Sequence, residues 1–212
     1  MLTPRKGRRV DRAVCPLFQQ VLIACLILGA AGLIGCSHAS AKLDDFGTVP
    51  DFTLTDQTGA VFSSATELHG VDWIADFVYT TCPGPCPRMS SQMHEVQTAL
   101  LGVDGVPAEK FRLVSFTVDP AHDTPPVLAD YAKRFSAKPG TWFFLTGPED
   151  QLHHLSRDAF MLGDVNGSLE HSTRFVLVDR RSRIRGFYLT SEPDAIARLI
   201  ADTMGLVRRE RD

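Results

Sequence analysis

Two cysteines, Cys82 and Cys86, stand four positions apart in the segment 80–87, which reads Thr-Thr-Cys-Pro-Gly-Pro-Cys-Pro. A disulfide that closes so short a loop removes little conformational entropy from the unfolded chain, so the pair is a weak stabilising cross-link. Cysteines at this spacing more often form a reactive dithiol or bind a metal. The spacing alone does not choose between these two chemistries.

The segments on either side of the pair predict how it is held. Residues 73–79 form an apolar run typical of a buried strand, and this run leads directly into the cysteine segment. From about residue 86, apolar residues recur at three- and four-residue spacing, as in an amphipathic helix. They are Met89, Met93, Val96, Leu100 and Leu101. We therefore expect Cys82 on a loop and Cys86 near a helix N-terminus, whose partial positive charge favours a thiolate.

The rest of the chain alternates predicted strands and helices. The pattern predicts a hairpin within 52–62, strands at 111–117 and 142–145, helices at 126–135 and 148–160, a hairpin of 174–179 with 184–189, and a helix at 192–204. This order predicts an α/β protein with a mixed central sheet, flanking helices and an N-terminal β-hairpin. A strand, a cysteine turn and a helix in succession are similar to a thioredoxin-like fold. Asp119 and Asp123 are expected to form a turn and a helix cap before the helix that Thr124 begins.

His171 is the best candidate for a third ligand. It follows Cys86 by 85 residues and lies just before the predicted strand at 174. In a thioredoxin-like fold the loop at this position faces the cysteines, so an imidazole there can reach a metal held by both sulfurs. Two thiolates and one imidazole favour copper or zinc over hard cations. Three ligands leave copper accessible for transfer, whereas structural zinc usually has four. His122 is a weaker candidate for a place near the metal.

Asp76 points to a second chemistry. It lies in an apolar strand six residues before Cys82, the separation between the buried aspartate and first cysteine of thioredoxin. Burial should raise the pKa of this carboxyl, because desolvation disfavours its charged form. Such a group can exchange a proton with the second thiol, which suits thiol–disulfide exchange. The alternative is a hydrogen-bonded carboxyl with a structural role.

Three stretches together resemble the SCO/SenC family of copper-delivery proteins. They are residues 76–87, residues 116–124 and residues 170–173. They occur in the family's order and spacing, and the resemblance covers roughly residues 47–206. It implies a thioredoxin-like fold in which Cys82, Cys86 and His171 bind copper as Cu(I), Cu(II) or both. It also implies help in assembling the dinuclear copper centre of cytochrome c oxidase.

Two positions depart from the family's usual pattern. Gly84 stands where members often carry an acidic residue between the cysteines, and Glu170 stands where they carry an aspartate before the histidine. The first change removes a charge near the metal and alters the expected affinity. The second is conservative, so Glu170 is either an acceptor that orients His171 or a solvated loop carboxylate.

The N-terminal residues have the layout of a secretory signal. Basic residues precede an apolar run at 21–34, which is short for a transmembrane helix. The sequence Leu-Ile-Gly-Cys at 33–36 resembles the lipobox of bacterial lipoproteins, in which the chain is cut before an acylated cysteine. We therefore expect a lipoprotein signal peptide at 1–35, a tether at 36–46 anchored through acylated Cys36, the thioredoxin-like domain at 47–206 and a charged tail at 207–212. An uncleaved anchor or an ordinary signal cleaved a few residues later is the alternative.

The charge composition indicates which classes of partner to expect. Beyond residue 35 the chain has 17 basic and 24 acidic residues, a net charge of −7, which argues against nucleic acid as a partner. We expect the domain on the periplasmic or extracytoplasmic side of a bacterial cell envelope, anchored to a membrane by lipid. The expected protein partner is the copper-receiving subunit of cytochrome c oxidase or another periplasmic copper protein.

Two functions remain open. In the first, a copper chaperone, Cys82, Cys86 and His171 hold one copper ion that a partner's thiolates take over. In the second, a thiol–disulfide oxidoreductase, Cys82 attacks, Cys86 resolves and Asp76 accepts a proton, so that the cysteines of the receiving subunit are reduced. The two roles can coexist, because copper binding needs reduced thiols. A peroxide-reducing or redox-sensing module is a third alternative.

Overall fold

The computed structural model describes residues 43–102, 107–162 and 173–208. Its strands are β1 (Thr53–Asp56), β2 (Val61–Ser63), β3 (Asp72–Val78), β4 (Phe111–Thr117), β5 (Trp142–Thr146), β6 (Arg174–Val178) and β7 (Ile184–Leu189). Its helices are α1 (Ser64–Glu67), α2 (Pro85–Leu101), α3 (Pro125–Arg134), α4 (Glu149–His154) and α5 (Ala195–Arg208), with a 3₁₀ turn at Ala108–Lys110. The strands form one mixed sheet in the order β2-β1-β5-β4-β3-β6-β7.

Three parallel strands make the centre of the sheet. β4 pairs in parallel with β3 on one side and with β5 on the other, and parallel neighbours need a crossover connection. Helices α2 and α3 supply these two crossovers. The strands β1 and β6 flank the parallel centre in the antiparallel sense, each as part of a hairpin. The predicted mixed sheet and N-terminal hairpin are therefore confirmed.

Each face of the sheet has its own hydrophobic cluster. On one face, α2, α3 and α5 pack against Ile74 and its neighbours. On the other face, Ala75 and Phe77 pack with residues of the N-terminal hairpin, of α4 and of the turn that follows it. Successive residues of a strand point to opposite faces, and every residue of β3 is buried. Helices and loops that cover both faces of the sheet thus explain the apolar run in the sequence of β3.

Two of the helices differ from their predicted bounds by more than one residue at either end. The expected helix at 148–160 ends at His154 and continues as a π-helical turn, Leu155–Ala159. The wider turn places the ring of Phe160 against the rings of Phe77 and Phe116 in the core. The last helix begins at Ala195, after a hydrogen-bonded turn at 189–192, and extends to Arg208 because Val207 is still buried.

The residues before β1 lie along β7. The amide of Phe46 donates to the carbonyl of Ile184, and the amide of Val49 donates to the carbonyl of Ser182. The described end of the expected tether is therefore bound to the domain. The expected signal peptide, at 1–35, and Cys36 lie outside the described residues, and the domain boundaries stay predictions. Among the residues that are described, we find no helix of the length and apolarity that crossing a membrane requires.

Candidate metal and thiol site

The cysteine segment connects the end of β3 to the start of α2. Cys82 lies in the loop, and its amide donates to the carbonyl of Tyr79 at 3.3 Å. Cys86 is the second residue of α2, after Gly84 in the cap position and Pro85 in the first. Proline is well tolerated at the first helical position, because no intrahelical hydrogen bond needs its missing N–H. The expected positions of both cysteines are confirmed.

Both cysteines are thiols in the structure, and both are buried. They pack with Val78 and the partly buried Tyr79 at the end of β3. Burial raises the pKa of Cys82, but hydrogen bonds from the backbone amides of Cys86 and Gly84 lower it more. Hydrogen bonds with the Cys86 thiol and the Tyr79 hydroxyl lower it further, so the pKa of Cys82 lies below its usual range. Cys82 is therefore the thiol of the pair that ionises first.

The pKa of Cys86 is shifted in the opposite direction. Its burial raises the pKa of the thiol far above the usual range, and the hydrogen bond and negative charge of Cys82 raise it further. Its side chain is fully buried, whereas Cys82 is 6% exposed. The pair thus consists of one nucleophilic sulfur near the surface and one protonated sulfur beneath it.

Tyr79 is a site residue that the sequence analysis did not identify. Its hydrogen bond with Cys82, followed by burial and the negative charges nearby, raises the pKa of the phenol to about 12. The hydroxyl therefore stays protonated and donates to the Cys82 sulfur. A tyrosine as the last residue of the predicted strand, three positions before the cysteine, is the only sequence signal that could have indicated this role.

Asp76 is completely buried under the sheet face that α2 covers. The Ser115 hydroxyl donates to one carboxyl oxygen at 2.6 Å, and the Trp142 indole N–H donates to the same hydroxyl at 3.0 Å. The second carboxyl oxygen of Asp76 has no hydrogen-bond partner among the described residues. Burial raises the pKa of Asp76 to about 7, against the lowering effect of the Ser115 hydrogen bond. The expected raised pKa is confirmed, whereas proton exchange with the second thiol stays a prediction.

Asp123 holds the cysteine loop from the segment that follows the neighbouring strand β4. Its buried carboxylate accepts hydrogen bonds from the Thr80 amide at 3.1 Å, the Thr80 hydroxyl at 2.5 Å and the Thr117 hydroxyl at 2.6 Å. The expected turn is present, since the Asp123 amide donates to the Asp119 carbonyl. Thr124 occupies the expected cap position, but neither it nor Asp123 makes a side-chain cap bond to the helix. Instead, the Asp123 carboxylate accepts hydrogen bonds from the cysteine loop.

His122 lies beside the same loop. Its Nδ1 atom is 3.4 Å from the Thr80 hydroxyl and 3.1 Å from a carboxylate oxygen of Asp123, and its ring is half exposed. Thr80 is two residues before Cys82 in the chain. His122 is therefore an exposed imidazole next to the cysteine loop. It is hydrogen-bonded to the Asp123 carboxylate, which holds this loop.

Three of the expected site residues, His171, Glu170 and Cys36, lie outside the described residues. Within the described ranges, no group of three His, Cys, Asp or Glu side chains able to hold a metal ion is found. Strand β6 runs antiparallel to β3, with Ala75 opposite Val176 and Trp73 opposite Val178. This register puts Arg174, the first residue of β6, at the end of the sheet where the cysteine loop begins.

The fold is thioredoxin-like, and a cysteine pair occupies the junction between β3 and α2. The SCO1/SenC family model matches residues 40–207. The chain therefore belongs to the SCO1/SenC family. An SCO2-like protein of Rickettsia felis is 35% identical over 158 residues, which cover 69% of this chain and 72% of the relative.

Solved structures share this fold. BsSco, described as a member of the Sco family of cytochrome c oxidase assembly proteins with a disulfide switch, is 26% identical, with a TM-score of 0.68 over 78% of this chain and 97% of its own. ScoI of Bradyrhizobium japonicum, solved with copper bound, is 23% identical, with a TM-score of 0.60 over 76% of this chain and 99% of its own. The expected fold is confirmed by these likenesses.

Proposed function

We propose that this protein is a copper chaperone of the bacterial cell envelope. Reduced Cys82 and Cys86, together with His171, hold one copper ion as cargo and pass it to the copper-receiving subunit of cytochrome c oxidase or to another periplasmic copper protein. The observation that carries the proposal is the pair of hydrogen-bonded thiols at the junction of β3 and α2.

The donor set fits copper. Thiolates are soft ligands that select Cu(I) and related soft ions over magnesium or calcium. Two backbone amides and the Tyr79 hydroxyl donate to the Cys82 sulfur, so negative charge on this ligand is already stabilised before a metal arrives. The second thiol releases its proton as copper binds, because a metal needs the deprotonated sulfur. Cys82 lies at the surface side of the pair, where a partner's thiolate can approach it.

His171 is proposed as the third ligand. It precedes β6 by three residues, and β6 begins at the end of the sheet where the cysteine loop lies. A neutral imidazole suits both oxidation states of copper and adds more to Cu(II), since two thiolates alone can hold Cu(I) in linear geometry. Glu170 is proposed to accept a hydrogen bond from the other ring nitrogen and so orient the imidazole.

The family supports the proposed cargo and recipient. BsSco is named as a member of a family of cytochrome c oxidase assembly proteins, and the ScoI structure holds copper. Location is proposed from the sequence: a signal at 1–35 is removed, and acylated Cys36 anchors the protein to a membrane. More than one acyl chain is needed for stable anchoring, which a bacterial lipoprotein cysteine provides.

The direct test is an anaerobic titration of the reduced fragment 40–212 with Cu(I) against a competing chelator. This fragment retains Cys82 and Cys86 as its cysteines, and both hydrophobic clusters lie within it. We expect one tight equivalent of copper, which Cys82→Ser abolishes. His171→Ala should weaken Cu(II) more than Cu(I), because the thiolates still hold Cu(I).

His69→Ala is the matched control for the histidine variant, because His69 is exposed and lies just before β3, away from the cysteines. It should leave both copper affinities unchanged. Absence of tight Cu(I) binding by the wild type would overturn the chaperone proposal. Equal effects of His171→Ala on Cu(I) and Cu(II) would remove His171 from the ligand set.

A second candidate function is reduction of the recipient's cysteines, and the buried carboxyl of Asp76 favours it. The Cys82 thiolate attacks one sulfur of a partner disulfide, forms a mixed disulfide and releases one partner thiolate. Cys86, after giving its proton to Asp76, then attacks the Cys82 sulfur and releases the second partner thiolate. The partner gains two electrons, and Cys82 and Cys86 end as a disulfide.

Asp76→Asn distinguishes the two functions. The reductase predicts that this variant slows the second, resolving step, so that the mixed disulfide accumulates with a disulfide-bonded peptide. The chaperone alone predicts unchanged resolution and unchanged copper affinity. Mass spectrometry of acid-quenched reactions follows the mixed disulfide directly, and rapid resolution by the variant would exclude Asp76 as the proton acceptor.

A further inference from the structure

The turn that carries His122 leaves the sheet beside the cysteine loop. β3 and β4 run parallel, and Val78, the last residue of β3, is paired with Thr117, the last residue of β4. The amide of Val118 donates to the carbonyl of Val78 at 3.0 Å, so the two chains stay side by side where the loops begin. The cysteine loop and the turn at 119–123 therefore lie next to each other at one end of the sheet.

The backbone of His122 is fixed within this turn. Its amide donates to the carbonyl of Asp119 at 3.2 Å, and its carbonyl accepts from the amide of Thr124 at 2.9 Å. The amide of Asp123 also donates to the Asp119 carbonyl, at 2.8 Å. The imidazole therefore extends from a backbone position that hydrogen bonds hold on both sides.

The contacts of the imidazole ring assign its tautomer. Nδ1 lies 3.1 Å from a carboxylate oxygen of Asp123 and 3.4 Å from the Thr80 hydroxyl. A carboxylate only accepts hydrogen bonds, so the neutral ring carries its proton on Nδ1 and keeps an unshared electron pair on Nε2. The His122 side chain is 51% exposed, whereas that of Asp123 is fully buried. The ring thus projects from a buried carboxylate into solvent, with a basic nitrogen that the carboxylate does not occupy.

Cys82 belongs to the turn that His122 contacts. The Cys82 amide donates to the Tyr79 carbonyl and so closes a turn with Thr80 and Thr81 at its centre. Thr80 is the turn residue beside the imidazole, and two residues of chain separate its Cα atom from that of Cys82 by at most about 7 Å. Thr81, between them, is exposed. A partner that reaches Cys82 from solvent therefore arrives beside His122.

Transfer of copper between thiols also moves protons. A metal needs the deprotonated sulfur, so a partner thiol must lose its proton to take copper, and Cys82 must regain one when copper leaves. Among the described residues, His122 does not join the cysteines in a group of three side chains that could hold a metal ion. Its free electron pair is therefore better suited to carrying a proton than to completing the copper site.

We propose that His122 is the proton shuttle of copper transfer, which takes up the proton of an incoming partner thiol at Nε2 and returns it to Cys82. The partner's S–H bond breaks as the Nε2–H bond forms, and the partner thiolate binds copper and displaces the Cys82 sulfur. The protonated imidazole then gives its proton to the released Cys82 thiolate, so copper and one proton have changed places. The Asp123 carboxylate stabilises the imidazolium between these steps. The inference rests on the proposed chaperone function and names the group that assists its transfer step.

The experiment follows copper transfer from the Cu(I)-loaded fragment 40–212, which contains both hydrophobic clusters, to two small thiols. At pH 7, 3-mercaptopropionate is a thiol and 4-mercaptobenzoate is largely a thiolate, and each carries one carboxylate. His122→Asn keeps a nitrogen donor for Asp123 but has no basic nitrogen. By native mass spectrometry of timed samples, we expect the variant to be at least about ten-fold slower with 3-mercaptopropionate and within about two-fold of wild type with 4-mercaptobenzoate, which has no proton to give.

The matched control is His154→Asn. His154 also places Nδ1 against a carboxylate, that of Asp158 at 2.7 Å, but it lies on α4 and not beside the residue that holds the cysteine loop. This control should leave both transfer rates unchanged. Equal slowing of His122→Asn with both thiols would overturn the proposal, because it would show a displaced cysteine loop, and so would wild-type rates with both. Failure of the wild type to load Cu(I) would instead remove the chaperone function, and this inference with it.

Nitrogen NMR of the reduced, metal-free fragment gives a second readout that needs no copper. Long-range ¹H–¹⁵N spectra at pH 8 should show His122 as the neutral tautomer with its proton on Nδ1. A proton on Nε2 would overturn the proposal, because the ring would then offer no basic nitrogen to a partner thiol.

Discussion

Thr80 donates two hydrogen bonds to the carboxylate of Asp123, one from its amide at 3.1 Å and one from its hydroxyl at 2.5 Å. The two residues are 43 positions apart, and the pair joins the cysteine loop to the segment after β4. Thr117 at the end of β4 donates to the same carboxylate. The position of Cys82 therefore depends on a residue outside the cysteine motif.

Asp123→Asn should weaken both the fold and copper binding. An amide keeps the shape of the side chain but has only one acceptor oxygen, so it cannot accept all three hydrogen bonds from Thr80 and Thr117. The expected loss is about 1–3 kcal/mol in the free energy of unfolding. Urea denaturation and Cu(I) competition check the two effects.

Two further variants control the Asp123 prediction. Thr80→Val removes the hydroxyl but keeps the amide hydrogen bond, so it should cause a smaller loss than Asp123→Asn. Asp130→Asn changes an exposed carboxylate that pairs with Lys133 on α3, and it should have little effect. Copper affinity that is unchanged in Asp123→Asn would contradict a role in positioning the loop.

Cys82 should react with iodoacetamide much faster than Cys86 at pH 7. Only the thiolate reacts, and the pKa of Cys82 lies below its usual range while burial raises that of Cys86. Peptide mapping by mass spectrometry after partial alkylation measures the ratio. Preferential labelling of Cys86 would contradict the asymmetry of the pair.

Tyr79→Phe should raise the pKa of Cys82. The variant keeps the ring but removes the hydroxyl that donates to the sulfur. The pH dependence of alkylation should therefore shift to higher pH, with the free energy of unfolding nearly unchanged. Tyr188→Phe is the control, because the hydroxyl of Tyr188 bonds to Asp202 on α5 instead. A profile that does not move would show that the Tyr79 hydroxyl does not lower the pKa of Cys82.

Asp76 should make the protein less stable as pH rises from about 4 to 7. Burial raises its pKa to about 7 in the folded protein, so over this range the folded state binds more protons than the unfolded state. The stabilising contribution of Asp76 is complete below the pKa of the unfolded state, and it is lost as the pH rises through the pKa of the folded state. Because a tenfold change in proton affinity corresponds to about 1.4 kcal/mol, the loss amounts to a few kcal/mol. Urea denaturation at several pH values should show a flatter profile for Asp76→Asn than for wild type or the exposed control Asp130→Asn.

Ser115→Ala should raise the pKa of Asp76 still further. The Ser115 hydroxyl donates to the carboxylate and accepts from the Trp142 indole, so its removal leaves two buried groups without this partner. The expected cost is about 1–3 kcal/mol for each group that loses its hydrogen bond. The loss should be larger at pH 8 than at pH 4, because the hydrogen bond stabilises the ionised carboxyl most. An equal loss at both pH values would contradict this assignment.

Much of the fold could be predicted because it follows local patterns. The apolar run before Cys82 and the helical spacing after it predicted β3 and α2, and the predicted bounds of β4 match the structure. The hairpin predicted within residues 52–62 is likewise present, as the antiparallel pair of β1 and β2. The positions of Cys82 in a loop and of Cys86 near a helix start could be predicted for the same reason, since the spacing of the pair and the helix start are local features.

The features that were missed depend on tertiary contacts. Nothing near Asp123 in the sequence indicates that its carboxylate holds Thr80, because two loops far apart in the chain meet only in the folded sheet. The π-helical turn before Phe160 likewise follows from the packing of this ring on β3 and β4 rather than from the local pattern. The cavity at the tip of the β6–β7 hairpin needs both that turn and Leu206 of α5, which no local pattern brings together.

The proposed copper site consists of Cys82, Cys86 and His171. X-ray absorption spectroscopy of the copper-loaded fragment 40–212 tests it most directly, because it counts the sulfur and nitrogen ligands of the metal. We predict two sulfur ligands and one imidazole nitrogen, with the nitrogen lost and both sulfurs kept in His171→Ala. A copper environment with fewer than two sulfurs, or one that His171→Ala leaves unchanged, would contradict the claim.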